Sequence, residues 1–277
     1  TSGAESLASA ANIFLGQTEA PLVIKPYLPR MTRSEIHCVM VGGFANIAGG
    51  VLAAYVGMGI DAGHLVTCSV ISAPASLLLA KLLVPETEKP ETLTQKHFKT
   101  EKVGSNLLEA AAIGTSDGLH LALNVGAMLL AFMGLIALAD GMLGWVGSWF
   151  GQSWALATIL GYVFWPFAFM IGIDPQDCLN VGTLLGIKMV ANEFVAYHQF
   201  SEWLKPESVV HLTERSKILT TYALCGFANF SSIGIQLGGI GALVPERRKD
   251  LASLAFRAMV GGSLSTQMCA CIAGILL

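Results

Sequence analysis

Apolar residues in this chain run in long unbroken blocks, at 38–58, 65–84, 119–139, 154–173, 218–244 and 251–277, instead of alternating with polar ones. Each block approaches the ~20 residues that a helix needs to cross a bilayer. The ten-residue alternating pattern of a membrane β-barrel is absent from the sequence. The pattern therefore predicts an all-α, multi-pass membrane protein. Two further pairs of apolar arms, 7–15 with 22–28 and 178–190 with 194–204, are too short to span. Each pair flanks a polar, acidic centre, Gln17-Thr18-Glu19 in the first and Asn192-Glu193 in the second, and reads as a re-entrant hairpin.

Two copies of one unit follow from self-similarity, the signature of many transporter folds. Gly43-Phe44-Ala45-Asn46 and Gly226-Phe227-Ala228-Asn229 are identical tetrapeptides, each inside an apolar block and each preceded by one of the acidic hairpins. Small residues after them, Gly49 and Gly50 or Ser231, Ser232 and Gly234, weaken a helix at that point and predict a break. One further apolar helix closes each copy. The unit is hairpin, broken helix, helix: residues 1–84 form the first repeat and 174–277 the second. Between them, 85–173 holds a charged linker, a scaffold spanning helix and a Trp-rich segment.

If 154–173, with Pro166 in its middle and Trp149, Trp154 and Trp165 around it, lies in the interface, the two repeats are inverted. Ten basic residues then face the cytoplasm, Arg30, Arg33, Lys81, Lys89, Lys96, Lys99, Lys102, Arg247, Arg248 and Lys249, against Lys205, Arg215 and Lys217 outside. That asymmetry favours the arrangement.

Composition agrees: 53% of the 277 residues are hydrophobic and 13% charged, with a mean hydropathy of +0.62. A net charge of −3 without a basic cluster argues against a nucleic-acid partner. The six cysteines show no CxxC spacing and are expected to pack. His37, His64, His97 and His211 fall near segment ends or in loops and are expected at the surface. No Walker loop or HExxH occurs, so the chain is expected to be neither an enzyme nor an ATP-driven pump. Starting at Thr1 beside an apolar block, the sequence reads as a piece of a longer protein.

Carboxylates at membrane depth cost several kcal/mol unless paired, hydrated or used, which singles out Glu19 and Glu193. The alternative is a water-exposed hairpin end. Gln17 and Thr18 add an amide and a hydroxyl beside Glu19, suited to a heterocyclic base or to capping a broken helix. Asn229 and Ser232, three apart, share a helical face. Asn46 is the repeat partner of Asn229, in a glycine-rich stretch whose freed carbonyls can hold a small cation. Glu5 is open between surface and cavity.

At these residues the sequence resembles the concentrative nucleoside transporters. The likeness is carried by Asn12-Ile13-Phe14-Leu15-Gly16-Gln17-Thr18-Glu19-Ala20-Pro21, Ser72-Ala73-Pro74-Ala75, Asn192-Glu193-Phe194-Val195-Ala196-Tyr197 and Ala223-Leu224-Cys225-Gly226-Phe227-Ala228-Asn229, in the family's order from end to end. The resemblance implies a plasma-membrane homotrimer that symports sodium with nucleosides by an elevator movement, with no organic cofactor. It implies that Gln17, Thr18 and Glu19 contact the base beside Val51, that Glu193, Asn229 and Ser232 hold the ribose, and that Phe227 lines the same pocket. Sodium is then expected on Asn12, the Leu15 carbonyl, the Asn46 side chain and the Ile47 carbonyl. Gly16-Gln17 resembles members that take both purine and pyrimidine nucleosides. Two departures stand out: Asn46 replaces the usual Ser or Thr, which leaves the choice of ion open, with proton coupling through Glu19 or Glu193 as the alternative, and the family's further N-terminal helices lie outside this chain.

Overall fold

The structure, a computed structural model, describes residues 1–93, 105–152 and 154–277; Lys96, Lys99, Lys102 and His97 lie outside these. α1 (Gly3–Asn12) begins at a capping box, with Glu5 N donating to Ser2 Oγ at 3.3 Å and Ser2 N to Glu5 Oε2 at 2.7 Å. A polar turn follows, and then α2 (Ala20–Val23). The second arm is thus not the helix over 22–28 that its apolar content predicts. Pro26 and Pro29 have no N–H to give, and the chain continues as turns and a 3₁₀ segment, Leu28–Arg30.

α3 (Arg33–Ala45) starts at a second capping box, Thr32 with Glu35. It stops at Asn46 and Ala48, both extended, and the chain re-enters helix as α4 (Gly49–Gly57) before α5 (Ala62–Leu83). α6 (Leu107–Ser148) is twice the expected 119–139 in length, 42 residues, because Asn106 caps it well upstream of the apolar block. α7 (Leu156–Met170) keeps Pro166 inside and is 15 residues long, too short to span.

The second copy repeats the order of the first: α8 (Cys178–Val190) and α9 (Glu193–Trp203), then α10 (Glu214–Leu224) and α11 (Phe230–Leu243), then α12 (Arg248–Leu276). The apolar block 218–244 is therefore divided between two helices with 225–229 unwound. Among the described residues, four helical stretches are long and apolar enough to cross a membrane: Arg33–Gly57, Ala62–Leu83, Leu107–Ser148 and Pro245–Leu276. Among the described residues there is no strand.

The two copies interleave. α12 packs on α3, α5 and α10, and Gly226, at φ +88°, brings the second break so close to the first that a Cβ there would lie 2.6 Å from the Ala45 carbonyl oxygen. Only glycine meets both demands, positive φ and a backbone neighbour. Tyr55 on α4 and Tyr197 on α9 pack with ring centroids 4.2 Å apart and planes tilted by 33°, tying the first broken helix to the second hairpin. Such a pair contributes about 0.5–1.5 kcal/mol beyond its buried area. α6 meets the rest at α11, where Gly234 and Gly238 let its Met128 and Asn124 carbonyls approach. Elsewhere α6 leaves Leu119, Leu130 and Leu138 exposed. α7 runs in the opposite sense along α8, with a Cβ on Gly182 lying 2.6 Å from the Gly161 carbonyl oxygen.

Candidate functional site

The tips of the two hairpins and the two breaks converge on one cavity of about 290 Å³, lined by polar and apolar side chains together. Its walls are Gly16 to Glu19 from the first tip, Ala48 and Val51 from the start of α4, Asn192 and Glu193 from the second tip, and Phe227, Ser231, Ser232 and Ile235 from the second broken helix. Seven of the eight residues expected to touch the solute line it: Gln17, Thr18, Glu19, Val51, Glu193, Phe227 and Ser232. Asn229 stands directly behind, fully buried, and donates from Nδ2 to Glu193 Oε2 at 2.6 Å.

Local sequence explains this geometry. Asn229 is the N-cap of α11: its Oδ1 accepts from Ser232 N and from Ser231 Oγ, both at 2.8 Å. Capping consumes the amide oxygen and leaves the NH₂ free to reach Glu193. Asn192 caps α9 likewise, its side chain accepting from Val195 N at 2.9 Å, so that Glu193 becomes the first helical residue and points inward. Across the cavity, Gln17 Nε2 donates to Ser232 Oγ at 3.3 Å, and Gln17 Oε1 is buried without a donor. Thr18 Oγ1 donates to Glu19 Oε2 at 3.0 Å.

The two carboxylates differ. Glu193 is 6% exposed, whereas Glu19 lines the cavity from an exposed position.

The residues expected to hold a cation lie at the first break. Asn12, Asn46 and Ile47 are each 1% exposed, while Leu15 is partly open at 38%. Gly49 N donates to the Phe14 carbonyl at 3.0 Å, pinning the first tip to the start of α4. Asn12 Oδ1 is buried with no donor, an unsatisfied hard oxygen. Asn46 Nδ2 donates to the Gly42 carbonyl at 3.3 Å, and Asn46 Oδ1 accepts from Ser72 Oγ in a short contact. The donor set of amide, hydroxyl and carbonyl oxygens fits a hard monovalent cation.

Four residues escaped the sequence reading. Ser72 was visible only as part of a motif; its contact with Asn46 is tertiary. Ser231 sits beside the expected Ser232. Gln236 lies four residues after Ser232, on the same face, and donates to the Met40 carbonyl at 3.0 Å. Lys188 is a lone basic residue inside an apolar arm, a signal that intramembrane charge rules do provide. His37, expected at the surface, is instead fully buried within α3 because that helix extends ahead of the apolar block. Glu5 is neither a surface nor a solute-cavity residue: it is buried and ion-paired with Lys81.

Re-entrant hairpins and broken helices that meet at one cavity are the arrangement in which many membrane transporter folds build a midplane site. Residues 64–274 match the family described as Na+ dependent nucleoside transporter C-terminus, and residues 2–62 match the Gate family, described as nucleoside recognition. An uncharacterized transporter of Haemophilus influenzae is 50% identical over 99% of this chain and 66% of its own length. Solute carrier family 28 member 3 of Mus musculus is 46% identical over 98% of this chain and 40% of its own length. The solved structure of a CNTnw variant in an outward-facing state, 49% identical, covers 99% of this chain and 66% of that one at a TM-score of 0.90. CNTnw in an inward-facing substrate-bound state superposes at 0.82, with 49% identity over 99% of this chain and 65% of that one. The chain belongs to the sodium-dependent, concentrative nucleoside transporter family, and it spans between 40% and 66% of the length of these curated relatives.

Proposed function

We propose that the protein is a symporter that carries purine and pyrimidine nucleosides into the cell, driven by sodium. The observation that supports this most is the pairing across one cavity: Gln17 with Ser232 and Glu193 with Asn229, each pair joining a hairpin tip to the second broken helix or ordering it. A nucleoside brings a planar base with donors and acceptors and a ribose with hydroxyl donors. Gln17, Thr18 and Glu19 offer both kinds of group to the base, with Val51 against its face. Glu193 accepts from ribose hydroxyls while Asn229 and Ser232 hold its register, and Phe227 closes the wall. A cavity of about 290 Å³ sits at the small end of ligand pockets, in keeping with a compact solute.

Sodium would rest on Asn12 Oδ1, the Leu15 and Ile47 carbonyls and Asn46. Such an ion bridges the first tip to the first break, so binding it orders Gln17, Thr18 and Glu19. An ion that favours the ordered tip raises nucleoside affinity by that difference, and the nucleoside raises ion affinity equally. The two repeats, 1–84 and 174–277, form the moving body and α6 belongs to the scaffold; three protomers in the plasma membrane complete the elevator. Superposition on both outward- and inward-facing relatives is compatible with such a movement.

A second reading couples the same solute to protons. It rests on Asn46, whose amide is engaged at both ends, by Ser72 and by the Gly42 carbonyl, and so has less to offer an ion. Uridine binding to the purified full-length protein, titrated in sodium and in potassium, separates them. Sodium coupling predicts binding that strengthens with sodium alone; binding indifferent to sodium but sensitive to pH supports the proton.

A further inference from the structure

The two breaks are sealed by different chemistry. In the register of the shared tetrapeptide, Met40 and Gly42 of the first copy correspond to Ala223 and Cys225 of the second. In the first copy, neutral amides cover these carbonyls: Gln236 Nε2 at 3.0 Å on Met40 and Asn46 Nδ2 at 3.3 Å on Gly42. In the second copy one ammonium takes both, with Lys188 Nζ donating to the Ala223 carbonyl at 3.1 Å and to the Cys225 carbonyl at 2.8 Å.

Lys188 reaches there from α8, the first arm of the second hairpin, and is 3% exposed. A charge this deep is tolerated only where something compensates it. Here the compensation is the C-terminal end of α10, whose last carbonyls lack helical partners and carry the negative end of the helix dipole, together with the nearby Glu193 carboxylate. An ammonium on carbonyl oxygens has the charge and the hard ligands of a bound alkali ion. The first break shows the complementary condition, with Asn12 Oδ1 buried and no donor in reach.

We infer that Lys188 is a tethered cation that occupies the second break permanently, where the first break takes a mobile one. It acts as a positioning residue: it holds 225–229 unwound, the segment from which Phe227 meets the solute and Asn229 grips Glu193. The second break is thereby kept ready for ribose in both the presence and the absence of sodium, and ion dependence is confined to the first. The inference rests on the proposed nucleoside and sodium binding.

Uridine affinity of the purified full-length protein, measured against sodium concentration in the wild type and in Lys188→Gln and Lys188→Ala, tests it. Lys188→Gln keeps a donor without the charge and is expected to weaken uridine binding about tenfold or more at saturating sodium, with helical content unchanged. Lys188→Ala opens room at the carbonyls. Its lost affinity is expected to return at high sodium, with one more sodium in the steepness of the dependence than the wild type shows. Wild-type affinity and unchanged steepness in both variants would overturn the inference. Failure of both to purify as folded protein would overturn it too, since Lys188 would then be needed for folding itself. A wild type that binds no uridine would instead reject the proposed function.

Discussion

Asn229 Nδ2 donates to Glu193 Oε2 over 2.6 Å, so a cap of the second broken helix also fixes the carboxylate at the second hairpin tip. One side chain thus couples local backbone structure to the cavity. With Asn229 holding one carboxylate oxygen, the other is available to a ribose hydroxyl. Glu193→Gln keeps shape but exchanges a charge-assisted bond for a neutral one, and is expected to weaken nucleoside binding by about 1–1.5 kcal/mol, roughly five- to tenfold. Calorimetric titration with uridine at saturating sodium reads this; an unchanged Kd would remove Glu193 from the solute contacts.

Asn229→Ala loses two things at once: the cap on Ser232 N and the donor to Glu193. Caps contribute about 0.5–2 kcal/mol, so the midpoint of thermal unfolding in detergent is expected to fall along with uridine affinity. Asn229→Asp retains the cap but sets a second carboxylate against Glu193. It is expected to unfold nearer to the wild-type temperature while binding uridine as poorly as the alanine variant or worse. If both variants lost stability equally and kept affinity, the coupling of cap to cavity would be wrong.

At the first break, Asn46→Ala is expected to raise the sodium concentration for half-maximal uridine binding by about tenfold, with little change in uridine Kd once sodium saturates. Ser72→Ala, which only frees Asn46 Oδ1, is expected to shift it the opposite way, toward lower sodium, and by less. A change in uridine Kd at saturating sodium without a change in sodium dependence would move Asn46 to the solute.

Gly226→Ala places a Cβ against the Ala45 carbonyl and forces an alanine into positive φ. Backbone strain of this kind costs on the order of 1–3 kcal/mol before any clash is counted. The expected outcome is a lower unfolding midpoint, whereas Gly50→Ala, where a Cβ meets nothing, is expected to leave it within experimental error.

Much of this architecture was legible in the sequence because it rests on local rules. Unbroken apolar blocks mark helices, the duplicated tetrapeptide marks both breaks, and Glu19 and Glu193 are conspicuous in apolar surroundings. The second arm of the first hairpin was misread because apolar content over 22–28 is the same in a helix and in proline-punctuated turns. His37 was misread because the N-terminal turn of α3 is polar in sequence yet enclosed by its neighbours. Ser72 and Gln236 act through partners 26 and 196 residues away in the chain, distances over which periodicity carries no information. Lys188 shows the opposite case. Its burial in an apolar arm was readable, but only the meeting of α8 with the end of α10 reveals what the charge is for.

The central claim is that a sodium gradient moves nucleosides through this protein, and uptake of radiolabelled uridine and adenosine by full-length protein in proteoliposomes tests it most directly. An inward sodium gradient is expected to accumulate both nucleosides above their external concentration, chemically intact, while potassium or a pH gradient alone does not. Accumulation that follows an imposed pH gradient and ignores sodium, or none under any gradient, would contradict the account.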